Sequence, residues 1–161
     1  MHPGERGRDE TREERADRNL TDILQELRVV LTGTQLISGF LLAVAFQSGF
    51  RDLDADEIVH YLVLVALAGL ATLLGLTPVL VHRLHFQQHV KPEVVRLANR
   101  LLITTIAVVA ILVVGVTSFI FEVVVSPAAG IWAGVVSLLC VAGLGWLGLS
   151  IRRRSTTTTH P

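Results

Sequence analysis

Two groups of residues in this chain carry the chemistry to move a proton or hold an ion. The first sits in the stretch QELRVVLTGTQ, where Gln25, Glu26, Arg28, Thr32 and Gln35 enter a long apolar run. Gln25, Arg28, Thr32, Gln35 and Gly39 recur at spacings of three and four, so on a helix they share one face. With a rise of about 1.5 Å per residue, Gln35 lies roughly 10 Å deeper than Arg28. An amide at that depth needs hydrogen-bond partners, so this face is expected to point into a helix bundle. There it would form either a polar half-channel or, more commonly, an interhelical hydrogen-bond seam.

The second group is Glu122, in FIFEVVV, with His60 and Tyr61 at a matching depth in another apolar run. An acid inside such a run is a proton-binding candidate by default, although its place about one turn from the run's end also suits an interfacial pair. A third set is basic and amide-bearing. His82, Arg83, Asn99 and Arg100 flank the connection between the second and third runs, where they can meet Glu26 and Arg28 in an ion-paired lock. Asp22, one turn before Glu26, has the same possible partners. His82, His85 and His89 fall at i, i+3 and i+7, but no Cys or Asp accompanies them, so the reading is an interfacial segment and no metal site.

The elements that must position these groups follow from composition. Of 161 residues 51% are apolar and only 17% charged, with mean hydropathy +0.57. A soluble domain carries nearer a quarter charged residues, so the chain needs a low-polarity solvent. Lys+Arg and Asp+Glu balance at 14 each, with no basic patch of the kind that binds nucleic acid. The single cysteine, Cys140, lies in the fourth apolar run as a small apolar residue.

Four apolar runs, each long enough to cross about 30 Å of hydrocarbon, predict an all-α integral membrane four-helix bundle. The expected spans are 22–48, 58–82, 97–125 and 128–151. Thr21 is a plausible N-cap for the first, Pro78 lies in the last third of the second, and Ser126-Pro127 makes the turn before the fourth. The charged segment 1–19 has no signal-peptide core, and it and the tail 152–161 are expected to be disordered. Lys and Arg fall in the N-terminal segment, the middle connection and the tail. Only Arg51 lies between spans one and two, and none lies between three and four. The positive-inside rule then puts both termini in the cytoplasm of a plasma (inner) membrane.

Small residues foretell packing. Gly130, Gly134, Ser137, Gly145 and Gly148 lie close to one stripe of the fourth span, and Ala68, Thr72 and Gly75 do the same for the second. Such stripes let backbones approach where lipid supplies no hydrophobic drive; contact within the chain's own bundle is the commoner use, contact with a second subunit the alternative.

Through RNLTDILQELRVVLTGTQLISGFLLAVAF, PVLVHRLHF and VRLANRLLI, the chain resembles a bacterial family of small four-span membrane proteins of unknown function. The resemblance covers about residues 19–151, and rests most on Gln25, Glu26, Leu27, Arg28, Thr32, Gly33 and Gln35, then on Pro78, His82 and Arg83 with Ala98, Asn99 and Arg100. Many members carry the label sodium:proton antiporter, so the resemblance implies a membrane protein and suggests ion transport, with no catalytic residues to carry over.

No nucleophile–base pair, phosphate loop, H-E-x-x-H or Cys pair is present, and the loops are too short for an active domain, so no enzyme and no cofactor are expected. The specific function that fits best is an oligomeric ion or proton-coupled (antiporter-like) transporter; the alternative is a non-transporting scaffold, partner-binding or sensor module whose polar cluster is structural. The transporter would take a proton or monovalent cation as a homo-oligomer, with Glu26, Arg28 and Gln35 at its cytoplasmic mouth and Glu122 and His60 outside. Known antiporters, however, place carboxylates at the midplane, and here the midplane residues Ser38, Gly69, Val113 and Leu139 include none.

Overall fold

The computed structural model describes residues 12–84 and 92–157. Four α-helices follow one another: α1 (Arg12–Ala45), α2 (Ala55–Leu84), α3 (Pro92–Val124) and α4 (Pro127–Thr157), with a short 3-10 turn, Ser48–Asp52, between α1 and α2. Stretches of 22 to 30 residues in these helices are long and apolar enough to cross a membrane. Their outer surfaces demand such a solvent. Leu36 is 74% exposed, Phe46 87%, and Trp132 and Trp146 about as much as Leu36. A surface so continuously apolar belongs in hydrocarbon.

The helices outrun the expected spans most at three ends. α1 begins at Arg12, ahead of Thr21, because the segment REERADRN is built of good helix formers and spaces Glu14 four residues before Arg18. α3 begins at Pro92, which suits a first helical turn. α4 continues past Ile151 to Thr157.

The turns are specified locally. Asp54 Oδ1 accepts hydrogen bonds from the backbone N–H groups of Asp56 and Glu57, both at 2.9 Å, and Glu57 Oε2 accepts one from the Asp54 N–H. This reciprocal box starts α2. Ser126 does the same for α4: its Oγ accepts from Ala129 N–H, its carbonyl accepts from Gly130 N–H, and Pro127 occupies the first turn, where no amide hydrogen is needed.

α1 packs on both α2 and α3, α2 packs on α3, and α4 lies on α3. Two apolar clusters fill the bundle. At the end holding the α1–α2 and α3–α4 turns, Leu41, Tyr61, Leu64, Ala68, Leu112 and Phe119 are buried together. At the opposite end Leu20, Ile23 and Leu27 of α1 close on Ala98 and Leu102 of α3. Between them Thr34 and Thr105 are fully buried, each hydroxyl donating to a carbonyl one turn back on its own helix, Val30 and Leu101. A hydroxyl satisfied in this way can sit in an apolar core at little cost. A groove of about 400 Å³ opens outward between α1 and α2, lined chiefly by apolar side chains with Ser38 and Thr72.

Candidate functional site

The turn end of the bundle holds the strongest polar constellation. His60 stands near the start of α2 and Glu122 near the end of α3, so antiparallel packing brings them to one level. His60 Nδ1 lies 2.6 Å from Glu122 Oε2, with the two side chains 27% and 21% exposed. That separation requires a proton between nitrogen and oxygen, and in a half-buried site such a bond is strong.

Aromatic rings close the pair from below. The His60 ring meets Phe119 edge-on at 5.5 Å between centroids, and Tyr61 meets Phe50 the same way at 4.9 Å. Tyr61 does not pair with Glu122. Its hydroxyl donates to the Leu41 carbonyl at 2.9 Å, fastening α2 to α1. The core beneath is built of Leu41, Leu64 and Leu112, so the pair opens toward the turn end.

Glu122 is also where α4 is seated. A Cβ placed on Gly130 would stand 2.7 Å from Glu122 Cβ and 3.0 Å from the Ser118 carbonyl oxygen, and one on Gly134 would stand 3.3 Å from Ser118 Cβ. Ser118 Oγ donates to the Gly130 carbonyl at 2.9 Å. The G-x-x-x-G of the fourth span therefore meets its own bundle, the commoner of the two uses. The stripe divides, for Gly145 and Gly148 have nothing within 4 Å. Ser118 was not legible as a partner, because its role depends on α4 crossing α3 at that level.

The first-span group is placed otherwise than expected. Gln25, Glu26, Arg28, Thr32, Gln35 and Gly39 are all exposed on the outside of the bundle. The inward face of α1 is the opposite one, carrying Leu20, Ile23, Leu27, Thr34 and Leu41. Apolar side chains at the same three-and-four spacing fill the interhelical space, and an inward Gln35 would compete with them for it. Thr32 satisfies its hydroxyl on the Arg28 carbonyl at 2.8 Å.

The inner lock is likewise apolar at its centre. Asn99 and Arg100 are exposed on α3, and among the described residues no polar contact joins them to Glu26 or Arg28. Leu27, Ala98 and Leu102 make the junction instead. His82 and Arg83 belong to the last turns of α2, and their side chains, with His85 and His89, lie outside the described residues. No group of three metal-ligating side chains occurs among the described residues.

Four long apolar helices around a leucine-rich core, with a histidine–carboxylate pair near one end, define a multi-pass membrane protein. Within that class the chain belongs to the family of unknown function DUF6328, whose model matches residues 9–149. No curated protein and no solved structure matches it.

Proposed function

We propose that this protein is a non-enzymatic, proton-responsive membrane module, with His60–Glu122 as its proton-binding element. The 2.6 Å contact between two titratable side chains on different spans carries this reading. An imidazolium–carboxylate pair that gains a proton on the carboxylate, or loses one from the ring, keeps a single charged partner, so the ion pairing ends while a hydrogen bond can remain. Because Glu122 is packed against Gly130, that change reaches α4 as well as the α2–α3 contact. The distribution of Lys and Arg supports a topology with both termini and the α2–α3 connection in the cytoplasm of a plasma (inner) membrane, which turns the pair outward. The leucines beneath the pair support a sensor or partner-binding role over passage through one chain.

The test is optical. Trp132 lies on α4 close to Gly130, and replacing Trp146 with Phe leaves it the sole reporter. In liposomes its emission is expected to change with external pH, and Glu122→Gln and His60→Gln are each expected to flatten that response. An equal response in both variants would remove the pair from the function.

The second reading is a proton-coupled exchanger for a monovalent cation, assembled from more than one copy. It is favoured by the polar stripe on the outside of α1, which could line a path only between chains. Proton movement driven by a Na⁺ or K⁺ gradient in liposomes holding a pH dye, abolished by Glu122→Gln, would establish the exchanger in place of the sensor.

A further inference from the structure

Gln25, Val29, Thr32, Leu36, Gly39 and Ala43 follow one another at alternating spacings of four and three, and every one is exposed. This is the 3.5-residue repeat of a left-handed helix–helix seam, and it runs down the side of α1 opposite its buried face. We propose that this stripe is a homodimer seam, in which α1 of one copy packs in parallel against α1 of a second copy. The inference is independent of the His60–Glu122 pair, which involves only α2 and α3.

Three features select a second copy as the occupant. The first is Gln35. Its side chain is exposed within a membrane-crossing stretch and has no hydrogen-bond partner among the described residues of its own chain. Hydrocarbon offers an amide neither donor nor acceptor, so the partner must come from another molecule in the bilayer.

The second is placement about a two-fold axis. Copies inserted with the same topology are related by an axis along the membrane normal, which sets one flank of each seam against the opposite flank of the other. Gln35 and Gly33 occupy those opposite flanks, at about 80° to either side of the seam's centre by 100° per residue. The Gln35 amide of one copy therefore lies over Gly33 of the other. A Cβ at Gly33 or Gly39 would meet nothing within 4 Å among the described residues of its own chain, so the backbones are open to approach. The amide finds there a carbonyl with a spare lone pair and the Thr32 hydroxyl.

The third is charge. Glu26 and Arg28 stand on the same two opposite flanks at the mouth of the span, so the two-fold sets the acidic flank of each copy beside the basic flank of the other. A partner of different sequence would need to supply that pattern; a second copy brings it already.

Cross-linking in native membranes tests the seam. In a Cys140→Ala background, single cysteines replace Leu36 or Gly39 on the stripe, and Leu73 or Leu144 at exposed positions on α2 and α4. Oxidation with copper phenanthroline is expected to give disulfide-linked dimers from the two α1 variants and not from the other two. Linkage of similar yield at all four positions, of higher yield on α2 or α4, of α1 only to a different protein, or at none of the four would overturn the proposal. Gln35→Leu changes only an outward side chain, so the fold should survive it. Energy transfer between labelled copies in liposomes should then show dimerisation weakened by about tenfold, given the usual worth of an interhelical side-chain hydrogen bond. Association equal to that of the parent would overturn the role of the amide and with it the choice of occupant.

Discussion

His60 and Glu122, 62 positions apart in the chain, meet at 2.6 Å across the α2–α3 interface. If the bond fastens the two spans, its loss should appear as coupling between them. His60→Ala and Glu122→Gln are each expected to lower stability in detergent by about 1 kcal/mol, the scale of in-membrane hydrogen bonds. The double variant should lose less than the sum of the two. Denaturant titration of the four proteins checks this, and strict additivity would mean that the two side chains act separately.

Gly130 leaves less room than any other glycine on α4. A methyl group there meets Glu122 Cβ at 2.7 Å and the backbone of Glu122 and Ser118 at 3.0 Å, and backbone cannot swing aside. Gly130→Ala should therefore push α4 away from α3 and destabilise by about 1–3 kcal/mol. Gly145→Ala, on the same helix but with nothing within 4 Å, should stabilise by roughly 0.5–1 kcal/mol through helix propensity. Thermal unfolding of both variants in one detergent separates the two effects by sign.

These two sites also mark how far the sequence could be read. Hydropathy located the spans, because a run of 20 or so apolar residues has few alternatives to crossing a bilayer. The pairing of His60 with Glu122 was legible from depth alone, since antiparallel neighbours bring the start of one span beside the end of the next. Which side of α1 faces inward was not. In water, polarity would have decided it; in lipid, both faces are apolar enough, and the fit of Leu27 against Ala98 and Leu102 decides. The ends of α1 and α4 were missed because charged helical turns carry no hydropathy signal.

Tyr61 is buried, and its hydroxyl reaches the Leu41 carbonyl in the last turns of α1. Tyr61→Phe keeps the ring against Phe50 and Phe119 and removes one bond. The expected loss is about 1 kcal/mol. It should be accompanied by faster hydrogen exchange at the end of α1, where the tether is cut. Mass-spectrometric exchange of peptides spanning 36–50 checks it, and unchanged exchange would confine the role of Tyr61 to packing.

The proposed topology makes the last prediction. Ser48 in the 3-10 turn and Arg96 in α3 are both exposed, at opposite ends of the bundle. With Cys140 replaced by Ala, Ser48→Cys should react with a membrane-impermeant maleimide on intact cells, while Arg96→Cys should react only after permeabilisation. The reverse pattern would turn His60–Glu122 toward the cytoplasm. The pair could then respond only to internal pH, and because Arg28 and Arg100 would face outward, the positive-inside bias would have failed for this chain.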